Sequence, residues 1–373
     1  MIGGEKFPRF DPGGKMIHGK PGIPVLLAGF IISLILGPVF AAQTNQQGKD
    51  KNEPKAAEKI FIPKEVKAVL EQGMAARQSR LDIPFTIFKH IYLPARDSVH
   101  AIFLFKAKNA DLGFAPPAGM PAPTQPVQLQ AQFYVFLQFL RVEKDAPAKV
   151  VQEAYVPATI QAGAEPYDPE KEAWYSIAYT LLPGDYLLAM AITSPDLNKI
   201  GTTYFDFSLP DAKASTQILD TTPIFFIKQM NKMEAPEMKA QVHPGFFTYS
   251  LLRIEPNIDN IFKAGDNLDI FFYVFGAKPG EARAGEQQAQ YNIEVNYEVK
   301  QGDKPAIRYE PAIYFFPLIS HALPMKQTVL IKTEKEQKRE QRDLPTGKYT
   351  LSLKISDKNS DLTVEKTVDF EVK

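Results

Sequence analysis

Residues 182–192 read Leu182-Pro183-Gly184-Asp185-Tyr186-Leu187-Leu188-Ala189-Met190-Ala191-Ile192, and residues 345–355 repeat the pattern as Pro345-Thr346-Gly347-Lys348-Tyr349-Thr350-Leu351-Ser352-Leu353-Lys354-Ile355. Each tyrosine is followed 21 residues later by an aromatic echo, Phe207 in Phe205-Asp206-Phe207 and Phe370 in Val368-Asp369-Phe370. Self-similarity at a fixed offset marks a unit written twice. Period-two alternation of Tyr349, Leu351, Leu353 and Ile355 with polar neighbours makes the repeated segment a strand. A Gly-x-Tyr-x-Leu strand start matches the corner of an immunoglobulin-like sandwich, where a tyrosine hydroxyl bonds back to the chain just upstream. An ordinary hairpin with a buried tyrosine is the alternative reading. The fold expected is all-β, with two tandem immunoglobulin-like β-sandwich domains, an N-terminal hydrophobic helix and a short helix before the first domain.

Working outward, Ala95-x-Asp97-x-Val99-x-Ala101-x-Phe103 matches Ala264-x-Asp266-x-Leu268-x-Ile270-x-Phe272, and the strand Phe133–Val142 with its turn Lys144–Pro147 matches Tyr291–Lys300 with Gly302–Pro305. Insertions differ, as loops permit: a proline-rich run at Phe114–Pro126 in the first copy and a mixed-charge run at Lys332–Asp343 in the second. The first domain is placed at 81–210, a connector with a possible first strand, Pro223–Ile227, at 211–243, and the second domain at 244–373. A helix over 63–80 presents Val66, Val69, Leu70 and Met74 on one side.

The chain has 373 residues, 45% of them hydrophobic, which is enough for two cores. With 43 basic and 43 acidic side chains its formal charge is zero, which argues against nucleic acid as a partner. There is no cysteine, so disulfides, thiolate metal sites and an acylated lipoprotein cysteine are excluded.

Residues 23–42 are apolar, follow Lys15, His18 and Lys20, and end in Gly37-Pro38-Val39-Phe40-Ala41-Ala42. Residues 1–42 are read as a signal peptide cleaved after Ala41 or Ala42, with an uncleaved anchor as the alternative. Met16 is a second candidate start. Residues 43–62, polar and without periodicity, are read as a disordered spacer. The expected compartment is the periplasm or cell surface.

The strand Phe133–Leu137 is apolar on both sides, and Leu187, Ala189 and Ala191 stand where the second copy has polar groups. That sheet needs a cover on each face: the helix, the second domain through its own two-sided strand, Ile270–Phe275, another molecule, or an insertion loop. Packing between the domains is the simplest arrangement.

No residue set yields a catalytic, cofactor or metal site. His18, His90, His100, His243 and His321 share no metal-ligand spacing. Asp357-x-Asn359-x-Asp361 opens like a calcium loop, but Leu362 and Val368 stand where glycine and glutamate are required. It is read as a turn. Asp259, Asp266 and Asp269 are read as solvated loop carboxylates, Trp174 as core rather than a sugar platform with Tyr175, and the Phe114–Pro126 run as a passive loop rather than a ligand for a partner.

From about Ile218 to Val372 the chain resembles the β-sandwich domains found C-terminal in bacterial exported proteins named for a Gly-Trp-x-Thr-Asp motif. The likeness rests on Thr222-Pro223-Ile224-Phe225, Lys263-Ala264-Gly265-Asp266 before an aromatic strand, and Leu344-Pro345-Thr346-Gly347-Lys348-Tyr349. The naming motif is absent, since Trp174 follows Ala173. The resemblance implies an envelope or exported context and carries no activity. The functional expectation is an exported, non-enzymatic binding or structural protein of the cell envelope, with a protein or envelope component as partner and membrane contact only through 23–42 if uncleaved. The alternative is a glycan-binding or glycan-active enzyme using loop carboxylates.

Overall fold

A computed structural model describes residues 62–116, 129–163, 166–211, 218–281, 290–332 and 337–373. The leader or anchor over 1–42, the spacer up to residue 61 and most of the proline-rich run lie outside these residues. Two β-sandwiches are present, joined by a connector that enters both.

A single helix, α1 (Lys64–Ala76), is found among the described residues. It is shorter than the 63–80 expected. Pro63 caps it with an extended backbone, and Arg77 ends it in the left-handed region at φ 52°. The first sandwich contains β1 (Phe85–Pro94), β2 (Val99–Lys108), β3 (Gln130–Arg141), β4 (Lys149–Gln161), β5 (Glu172–Leu181), β6 (Gly184–Thr193) and β7 (Ile200–Leu209). One sheet runs β4-β3-β6-β7. The other runs β1-β2-β5 and takes β10 (Val242–Pro244) as its fourth strand.

Before that strand come β8 (Asp220–Thr221) and β9 (Phe225–Lys232); after it come β11 (Phe247–Tyr249), β12 (Leu252–Pro256), β13 (Ile261–Phe262) and β14 (Asn267–Phe275). There follow β15 (Ile293–Gln301), β16 (Lys304–Arg308), β17 (Ala312–Tyr314), β18 (Leu318–Pro324), β19 (Lys326–Lys332), β20 (Gln337–Asp343), β21 (Gly347–Asp357) and β22 (Leu362–Val372). The second sandwich sets β11-β12-β9-β14-β18 against β13-β22-β21-β15-β16. The mixed-charge run expected as a loop insertion instead forms half of a hairpin, β20 pairing along β19.

Both tyrosine corners are formed. Tyr186 donates its hydroxyl to the Leu182 carbonyl and Tyr349 to the Pro345 carbonyl, each at 2.8 Å. The 21-residue spacing becomes a cross-strand pair in each copy: Tyr186 faces Phe207 and Tyr349 faces Phe370, with ring centroids 5.4 and 5.5 Å apart. Gly184 and Gly347 precede the tyrosines at φ 147° and 157°, and a side chain there would press on Arg141 or Gln301 at matching ends of β3 and β15.

Inward-facing residues of the first sandwich, among them Phe103, Phe105, Phe133, Phe139 and Ile177, form one core; Phe226, Ile270, Phe272, Val295 and Leu351 belong to the other. The apolar outer face of β3 and β6 is covered by α1: Ile62, Val66 and Leu70 pack on Phe136, Leu140, Leu187, Ala189, Ala191 and Ile200. Ile62, at the end of the stretch read as disordered, is therefore part of a core. Burial of such side chains stabilises by about 1.5–3 kcal/mol each.

The two-sided strand of the second sandwich, β14, meets β1 of the first through Phe275 and Tyr92. Ile91, Leu93, Ile102 and Leu104 project away from the first core yet are fully buried. The segment Phe246–Tyr249 lies across that face. Tyr249 donates to the Pro94 carbonyl at 2.7 Å, His100 Nε2 donates to the Thr248 carbonyl at 3.2 Å, and Ser176 donates to the Phe246 carbonyl at 2.5 Å. Tyr92 stacks on Phe275 beside them.

Candidate partner-binding loops

In an immunoglobulin-like sandwich the loops at one end project together, and a rigid sheet holds them. In the second sandwich three such loops are tied by hydrogen bonds. Asp357, at the end of β21 and fully buried, is the hub. Its Oδ2 accepts from the Lys278 amide at 2.9 Å and from the Ser360 hydroxyl at 2.5 Å, and its Oδ1 accepts from the Asn359 amide at 3.1 Å. Asn359 Nδ2 returns a bond to the Lys278 carbonyl at 2.9 Å. Thus the β21–β22 turn is locked to the chain leaving β14.

The third loop joins through the backbone: Lys358 N–H donates to the Asn292 carbonyl, Tyr291 N–H to Phe315, and Val274 N–H to Pro317. Lys358 and Glu294 form an ion pair at 2.9 Å. That hydrogen bond holds the Glu294 carboxyl below its ordinary range. On this end Ile313, Phe315 and Phe316 are 55, 51 and 56% exposed. Ile313 belongs to β17 (Ala312–Tyr314), and Phe315 and Phe316 follow directly, so three large apolar side chains are exposed within four residues. Sequence alternation gives no hint of it, because Phe315-Phe316-Pro317 reads like any buried strand end.

The corresponding end of the first sandwich is also braced. Asn109 Nδ2 donates to the Asp168 carbonyl at 2.8 Å, Ala110 N–H to Pro169 at 2.9 Å, and Phe114 meets Tyr167 with ring centroids 5.8 Å apart. Phe114 is the described start of the proline-rich run.

The remaining candidates separate. Trp174 and Tyr175 lie on opposite faces of β5: Tyr175 stacks on Phe105 inside the core, while Trp174 is half-buried on the outer side. Adjacent strand residues cannot share a platform. Asp266 caps its own turn through the Lys263 amide, 2.8 Å away, and Asp269 is half-buried on β14, its carboxyl pushed up by burial. Asp259 lines a shallow groove of about 500 Å³ at the tyrosine-corner end, with Asn260, Lys348, Asp369 and Glu371. There Asp369 accepts from the Thr350 hydroxyl at 2.6 Å.

Among the described residues no group of three or more His, Asp or Glu side chains could hold a metal ion. His243 donates to Glu237 at 2.9 Å, and His321 stacks on Tyr297 at 5.4 Å. His90 lies 5.7 Å from both Phe205 and Phe207, ring centre to ring centre. Among these residues no helix is long and apolar enough to cross a membrane.

No family model and no curated protein matches the chain. Among solved structures, the crystal structure of Salmonella alpha-2-macroglobulin reacted with methylamine is similar at 11% identity and a TM-score of 0.15, over 79% of this chain and 17% of that one.

Proposed function

We propose that this protein is an exported, non-enzymatic binding or structural protein of the bacterial cell envelope, and that the loop end of its second sandwich receives the partner. The observation that carries the reading is the exposed Ile313 on β17 with Phe315 and Phe316 just after it, in a segment held by backbone bonds from Tyr291 to Phe315 and from Val274 to Pro317. Bracing matters because a preordered surface loses little conformational freedom on association. The leader-like stretch at 23–42 and the resemblance to exported sandwich domains support the compartment.

The test compares the full chain with a variant carrying Ile313→Ser, Phe315→Ser and Phe316→Ser in cross-linking and capture from envelope extracts. Loss of a specific band in the variant supports the reading. Equal capture by both proteins, or a captured glycan unaffected by the substitutions, counts against it.

A further inference from the structure

We propose that α1 is a detachable strap: it releases from the first sandwich as a unit while both sandwiches stay folded, and its release uncovers the outer face of β3 and β6. The strap is intrinsically weak. Its 13 residues have no side-chain N-cap and end on a non-glycine residue in the left-handed region. Helices of this length are marginal alone, so α1 is held by docking rather than by its own propensity.

The docking rests on a few side chains. Val66 and Leu70 are the buried residues of the helix, with Ile62 just ahead of it. Gly73, a poor helix former, is required because a side chain there would strike the Tyr204 hydroxyl, which donates to the Leu70 carbonyl at 2.9 Å. Two ion pairs pin the strap across the sheet, Lys67 to Glu153 on β4 at 3.8 Å and Arg77 to Asp206 on β7 at 3.2 Å. Exposed pairs of this kind contribute little.

The covered face is also imperfectly satisfied. Among the described residues three buried side-chain polar atoms lack a hydrogen-bond partner, and two of them, Gln138 Oε1 and Thr193 Oγ1, belong to this outer face. Opening lets water reach them, which offsets part of the cost of exposing apolar surface. The seam between the sandwiches is held differently, by buried hydrogen bonds and a strand contributed to the neighbouring sheet. Local opening therefore starts at the strap, in line with the uneven stability of folded chains.

The chain contains no cysteine, so a single introduced thiol reports opening directly in the full-length protein. Ala189→Cys places it under α1, with Ala191→Cys as a second position, and Ala101→Cys places it in the first core; all three alanines are fully buried. The expected result is labelling at 189 and 191 at least about 100-fold faster than at 101 in native buffer. Adding Leu70→Ala should raise the rate at 189 and 191 by about tenfold or more and leave 101 unchanged. Rates within tenfold of one another, or an equal response of all three positions to Leu70→Ala, would overturn the proposal.

Discussion

Tyr349 lies on Phe370 with ring centroids 5.5 Å apart while its hydroxyl holds the carbonyl of Pro345, and Tyr186 does the same with Phe207 and Leu182. Removing the hydroxyl leaves the Pro345 carbonyl without that bond but keeps the ring. Tyr349→Phe should cost about 1 kcal/mol and Tyr349→Ala about 3–5 kcal/mol. Urea unfolding measures both, and a Tyr349→Phe midpoint equal to that of the unaltered protein would refute a role for the hydroxyl.

At Gly201 the constraint is a neighbouring backbone rather than a dihedral angle. A Cβ there would come within 1.9 Å of the Ile83 carbonyl oxygen, where the chain after α1 crosses β7. Gly201→Ala must push Arg80–Ile83 outward and should destabilise by about 1–3 kcal/mol. Hydrogen exchange should show the loss first at the Thr202 amide, which donates to the Arg80 carbonyl.

Asp357 predicts two outcomes that separate bracing from metal binding. Asp357→Ala strands the Lys278 and Asn359 amides and should cost about 2–4 kcal/mol, with lost capture of any loop-end partner. Calcium or a chelator should leave the melting temperature unchanged, because both carboxylate oxygens are already occupied by internal donors. A calcium-dependent rise in melting temperature would contradict this account of the turn.

Acid should loosen the seam between the sandwiches. Burial depresses the pKa of His100 below its ordinary 6.5, against smaller opposing effects from the Thr248 carbonyl and the Glu237 charge. His90 and His321 are lowered by burial too. A histidine lowered on folding binds fewer protons in the native state, so its stabilisation is complete above pH 6.5 and is lost as pH falls below that value. Each such group contributes a slope of up to about 1.4 kcal/mol per pH unit. Urea midpoints between pH 7.5 and 5.5 should fall, and His100→Gln should flatten the dependence; an unchanged slope in that variant would count against His100.

Residues 82–210 produced alone should bind a hydrophobic dye or self-associate. They lack α1, β10 and the Phe246–Tyr249 segment, so Leu187, Ala189, Ile102 and Leu104 meet water. A soluble, dye-silent monomer would show that those covers are dispensable.

Strand identity, the duplicated corner and the repeated 21-residue spacing from Tyr186 to Phe207 were determined by the sequence itself, because alternation and a fixed spacing are local properties that survive in one dimension; that the spacing is a cross-strand pair came from the fold. The two-sided apolarity of β3 and β6 likewise announced that a cover exists. Which element supplies it depends on relative orientation: Val66 and Leu70 could have met any apolar face, and only the tertiary structure puts them on Ala189 and Leu187 rather than on Ile102. The same holds for the connector, whose Val242–Pro244 leaves one sandwich to pair with Ile177, Ser176 and Tyr175 of the other. It holds as well for Asp357, whose motif looked like a turn but whose partner, Lys278, lies 79 residues away. Such contacts are set by the closure of two sheets on each other, which brings distant loops to one end without leaving a periodic mark in the chain.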